Sequence, residues 1–124
     1  MTTKQGPNPP TRFDHDACED LPIPGTEDWH LVTEAGDGGG YDWTTWRAYY
    51  SPSARRYFWY GASGCSCNGW ADDLHTFSVF ESGSRADAAR GLRRFAKDYG
   101  EYGLSPAEAL DADAKIRTFK EPKP

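Results

Sequence analysis

The sequence is short of three things, and each shortage excludes a class of protein. No apolar run approaches the roughly 18 residues that a membrane span requires, and residues 1–10 lack the apolar core of a secretory signal. The expectation is a protein that stays in the cytoplasm of the cell that makes it. Cysteine is scarce and odd in number, three residues with Cys65 and Cys67 one apart, which is a poor disulfide framework and predicts reduced thiols. Histidine also numbers three, and the only compact pairing of acid and imidazole is Asp72 and Asp73 beside His75. General acid–base work needs a geometry that spacing alone does not establish, so no catalytic set is assigned.

What is present is aromatic. Hydrophobic residues make up only 37% of the 124-residue chain and mean hydropathy is −0.81, yet aromatics reach 15%, so large rings must supply much of the buried area of one modest core. The net charge of −5 is unevenly spread. Residues 1–40 hold two cations, Lys4 and Arg12, against eight acids, whereas residues 83–104 hold five cations against three acids. Surface pairs between two such regions contribute only about 0–1 kcal/mol each. Either patch is also able to steer a charged partner.

In chain order, residues 1–25 read as an irregular acidic arm broken by Pro7, Pro9, Pro10, Pro22 and Pro24. A single domain is expected over 26–120, followed by a disordered tail at 121–124. A first strand is predicted over 29–33, with Trp29, Leu31 and Thr33 on one face by period two. Asp37 and the three glycines after it form a loop. Residues 41–50 and 57–62, dense in Trp, Tyr and Thr, predict a hairpin turned by Pro52. Its first arm places Thr44, Trp46, Ala48 and Tyr50 on one face and Trp43, Thr45, Arg47 and Tyr49 on the other. Rings on both faces predict a sheet covered by helices on one side and partly solvated on the other. A return strand is predicted over 75–80.

Two helices follow, each with a start written into the sequence. Ser84 and Asp87 form an acidic capping box ahead of Ala88, Leu92, Phe95 and Tyr99 on one face, with Gly100 as the stop. Ser105, Pro106 and Glu108 open the second, whose stripe is Ala109, Ala112, Ile116 and Phe119. The fold class is therefore α+β: a small antiparallel sheet of three to four strands with a central aromatic hairpin and one or two C-terminal helices packed on one face.

Tyr41-Asp42-Trp43, the block from Tyr50 to Pro52 continued by Arg56 to Gly61, the loop Gly64-Cys65-Ser66-Cys67-Asn68 and the basic helix resemble a family of small uncharacterised proteins of actinobacteriophages. The similarity covers roughly residues 30–98 and rests on an aromatic strand followed by Gly-Cys-Ser-Cys. It implies a phage origin and expression inside a bacterial host, and it carries no activity and no catalytic residues.

The Cys-x-Cys loop admits three uses. Extended backbone puts Cys65 and Cys67 on one side, and His75 with Cys18 or His15 can complete four ligands for zinc, although pairs from one segment usually stand two to four residues apart. A strained disulfide between them would suit redox work, but no helix start follows Cys67. The favoured reading is structural: small buried thiols at a sharp corner made by Gly61, Gly64 and Gly69, closed by Trp70. Single-stranded nucleic acid is a further candidate ligand for Arg55, Arg56, Tyr57, Trp59 and the basic helix, opposed by the net acidity of the chain. The functional expectation is an accessory protein that binds a host or phage protein through its rings and cations, with Arg55, Arg56, Tyr57, Trp59, Trp70, Arg90 and Arg94 as candidate contacts. A zinc-stabilised binding domain and an enzyme of unrecognised type are the alternatives.

Overall fold

The computed structural model describes residues 21, 23–37, 42–65, 70, 77–100 and 104–124. Its centre is the predicted hairpin. Strand β2 (Asp42–Ser51) pairs antiparallel with β3 (Arg56–Cys65) in unbroken register from Asp42 opposite Cys65 to Ser51 opposite Arg56. Residues 52–55 turn the chain, with Arg55 in the left-handed region at φ 55° and its amide donating to the Ser51 carbonyl. Asp28 ties the turn to the segment before the first strand, because its carboxylate accepts from Ser51 Oγ and from the Ser53 amide. Burial pushes this carboxyl up, but the hydrogen bonds from Ser53 and Ser51 outweigh it and hold the group below its usual value.

Strand β1 (His30–Asp37) adds to β2, and the short β4 (Glu81–Gly83) adds to β3, giving the antiparallel order β1-β2-β3-β4. β1 is longer than its periodicity predicts and carries an irregularity. The register slips between Leu31 and Thr33, so Thr33 stands opposite Ala48, on the other face from Leu31 opposite Tyr49. The extra residue corrects the expectation that Trp29, Leu31 and Thr33 share a face.

The predicted return strand is also corrected. Of its residues, Phe77–Val79 form a 3-10 turn, and pairing with β3 begins only at Glu81. The ring of Phe80 accounts for this placement, since it meets Trp29 edge-on at 5.0 Å beneath the sheet. Gly61 and Gly64, assigned to the corner, instead lie inside β3 opposite Trp46 and Trp43. A Cβ on Gly61 would stand 2.5 Å from the Phe95 ring and 2.8 Å from Trp46, so this glycine permits close approach of helix to sheet. The Gly38–Gly40 loop and the Cys67, Asn68 and Gly69 part of the corner lie outside the described residues.

Helix α1 (Arg85–Tyr99) begins at a complete capping box between Ser84 and Asp87, and α2 (Pro106–Thr118) at another between Ser105 and Glu108. Both helices cover one face of the sheet, where Trp46, Tyr50, Tyr57 and Trp59 meet Leu92, Phe95, Ala112 and Ile116. The opposite face is covered too. Leu21, Ile23, Trp29, Trp70 and Phe80 close over Trp43 and Tyr49, and Trp29 stacks on Phe58 at 4.4 Å. Two residues from the expected acidic arm thus belong to the core, and neither set of hairpin rings is left in solvent. Each such ring contributes about 2–3 kcal/mol by leaving water. Among the described residues no helix is long and apolar enough to cross a membrane.

The chain end is tied down by polar contacts. Phe119 packs against Tyr50 and Tyr57, and Glu121, which composition places in a disordered tail, accepts from Tyr57 Oη at 2.8 Å and pairs with Arg85 at 2.9 Å. Arg85 also donates to the Ile116 carbonyl in the last turn of α2, a favourable place for a cation. Burial first, then donation to Glu121, raises the Tyr57 hydroxyl well above the ordinary tyrosine value. A raised folded-state pKa contributes stability that is present below the unfolded value near 10 and is lost as pH climbs past it. Between pH 10 and 11.5, unfolding free energy in urea should therefore fall more steeply for the native protein than for Tyr57→Phe, by up to about 1.4 kcal/mol per pH unit. Parallel slopes would show that the hydroxyl is not held this way.

Candidate functional site

Helical periodicity decides where the exposed cations go. Arg90, Arg93, Arg94 and Lys97 recur at i, i+3, i+4 and i+7 of α1, so at about 100° per residue they share an arc of about 100°. That arc lies opposite Ala88, Leu92 and Phe95, which are buried against the sheet. The stripe is consequently turned to solvent, with Arg90 and Arg93 roughly 60% exposed. Arg90 pairs with Asp87, and Arg93 reaches Asp113 of α2 at 3.6 Å. Arg94 and Lys97 form no ion pair among the described residues.

Along one edge of this stripe, where β4 stops short and β3 continues, α1 and the sheet leave a cleft of about 140 Å³. Trp46, Trp59 and Phe95 form its floor, and Glu81, Arg94 and Asp98 stand around it. Trp59 Nε1 donates to Glu81 Oε1 at 3.1 Å, which fixes that carboxylate against the indole.

The candidate contact residues do not gather into one surface. Trp59 and Arg94 meet at the cleft, and Arg90 lies one turn before Arg94 on the stripe. Tyr57 and Trp59 are core residues beneath the helices, because the helices cover the face they occupy. Trp70 is buried on the opposite face, where it stacks on the Arg47 guanidinium at 4.4 Å and donates to the Tyr60 carbonyl. Arg55 is exposed in the hairpin turn, in a separate groove with Glu121 and Lys123, and Arg56 reaches Ser82 Oγ across β4. The buried rings therefore form no extended stacking platform for bases, and only the parts of Trp46, Trp59 and Phe95 that line the cleft are open.

Of the residues considered for zinc, Cys65 is exposed at the end of β3, where its carbonyl accepts from Trp43 Nε1, and Cys18, Cys67 and His75 lie outside the described residues. Among the described residues no group of three His, Cys, Asp or Glu side chains could hold a metal ion. Sequence reasoning missed the buried pair of Arg47 and Glu34. Its signal is an arginine in register with Trp43 and Tyr49 on one strand face, a position that burial makes tenable only with an acid opposite. No family model matches the chain, and no curated protein or solved structure matches it either.

Proposed function

We propose that this domain is a protein-interaction module that presents the Arg90, Arg93, Arg94 and Lys97 stripe to an acidic surface of its partner. The observation that carries the reading is the arc itself: four cations in solvent on a helix whose other face is locked into the core. A fixed cationic stripe raises association rates and selects against basic partners. Protein is favoured over nucleic acid because the rings that could stack on bases are buried and the chain as a whole carries −5. The resemblance to actinobacteriophage proteins supports a host or phage protein as partner, met in the cytoplasm of the bacterial host.

Charge reversal tests this directly. Native protein and an Arg90→Glu, Arg94→Glu, Lys97→Glu triple variant, both immobilised, are exposed to actinobacterial lysate with and without nuclease treatment. An acidic protein should be retained by the native domain and lost by at least about tenfold in the variant, with retention falling as salt rises. Equal retention by both would overturn the reading. Retention that vanishes on nuclease treatment would assign the stripe to nucleic acid instead.

A further inference from the structure

The cleft beside α1 carries charges that the fold does not use. Arg94 and Asp98 stand one helical turn apart on its lip, and neither side chain makes an ion pair or hydrogen bond among the described residues. Glu81 lies across from them with one carboxylate oxygen engaged by the Trp59 indole and the other uncommitted. The floor is aromatic. Gly61 and Gly91 complete the walls, and because any Cβ there would run into Phe95 or the Trp59 indole nitrogen, glycine on both strand and helix lets the rings pack closely around the cleft.

Each ligand class meets this set differently. A simple anion would satisfy Arg94 but face two carboxylates. A simple cation would be drawn to Glu81, Asp98 and the rings but repelled by Arg94. A molecule with an ammonium and a carboxylate a few bonds apart satisfies all three charges at once. The size agrees, because 140 Å³ lies well below the roughly 300–1,000 Å³ of sites for drug-sized ligands and suits one small molecule.

We propose that this cleft binds a free α-amino acid, with its ammonium toward Glu81 and Asp98, its carboxylate toward Arg94 and its side chain over Trp59 and Phe95. This goes beyond the proposed protein contact and does not depend on it, since Glu81 and Asp98 lie outside the basic stripe. A bound zwitterion would occupy Arg94 and so alter the charge that the stripe presents.

The test is NMR titration of the 15N-labelled full chain with each of the twenty common L-amino acids up to 10 mM, reading the Trp59 indole Nε1–H signal. At least one should give a saturable shift. Its amide, which lacks the carboxylate, and its N-acetyl form, which lacks the ammonium, should each bind at least about tenfold more weakly. Asp98→Asn should weaken the amino acid and its amide alike, whereas Arg94→Gln should weaken the amino acid and leave the amide bound as well or more tightly. No saturable shift from any of the twenty, or blocked forms that bind as well as the free one, would overturn the proposal. Neither result bears on capture of an acidic protein by the stripe, so the two readings fail separately.

Discussion

Gly36→Ala is expected to destabilise the domain by about 3 kcal/mol, although the change adds a single methyl group near a strand end. Gly36 sits in β1 opposite Thr45 with φ at +92°, in the left-handed region that residues with a Cβ rarely adopt. The added Cβ would be driven into the Thr44 carbonyl, which is backbone in a central strand and cannot turn aside as a flexible side chain could. Relief requires either rotating Gly36 out of its conformation or separating β1 from β2 where they pair, and both disturb the central strand. Gly100 is the control. It closes α1 at φ −60° with nothing within 4 Å of its added Cβ, so Gly100→Ala should be neutral or stabilising by about 0.5 kcal/mol. Urea midpoints at unchanged slope would measure both. A loss below about 1 kcal/mol for Gly36→Ala would mean that the strand yields at that point.

The helices are legible in the sequence because their starts are encoded locally. Ser84 with Asp87 and Ser105 with Glu108 each satisfy amides three residues apart, and both boxes form. The hairpin is legible for the same reason, since ring-rich arms flank a proline turn. What local patterns do not fix is what covers each face. Period two sorts Tyr57 and Trp59 from Phe58 and Tyr60, but it does not say that the helices choose the first pair. Leu21 and Ile23 come from a stretch interrupted by Pro22 and Pro24, without periodicity to mark them as core. The slip between Leu31 and Thr33 leaves no mark in composition. Tyr57 and Glu121 are 64 residues apart, so their contact follows only from the assembled fold.

The candidate site divides along the same line. Arg90, Arg93, Arg94 and Lys97 are readable as one polar arc from helical period alone, and the structure adds that all four are exposed and which acids pair with Arg90 and Arg93. The cleft is not readable, because it depends on β4 ending where β3 continues and on Gly61 lying under Phe95. An aromatic stretch thus contributes its rings to the core, and the surface beside it is defined by the helix that packs there.

Arg47→Ala should be among the most damaging changes to the second face of the sheet, at about 3–4 kcal/mol, and Glu34→Ala should cost about 2–3 kcal/mol. The two residues face each other across β1 and β2, with Arg47 Nε donating to Glu34 Oε2 at 2.8 Å. They are not equally enclosed. Arg47 is 2% exposed, lies under the Trp70 ring and donates to Tyr49 Oη, whereas Glu34 is 24% exposed and can be hydrated. Removing the arginine empties space between Trp70 and the strand as well as breaking the pair. Removing the acid takes this counter-charge from a buried guanidinium, although the guanidinium still stacks on Trp70 and reaches Tyr49. Arg47→Met separates volume from charge. If packing dominates, methionine should recover most of the alanine loss, because a well-packed apolar replacement of a buried ion is often near neutral. If the ion pair dominates, Arg47→Met should be as damaging as Arg47→Ala, and Glu34→Ala should approach them both. The burial asymmetry favours the first outcome, because the acid that Arg47→Met leaves behind can be hydrated, and equal losses for Arg47→Met and Arg47→Ala in urea unfolding would refute it.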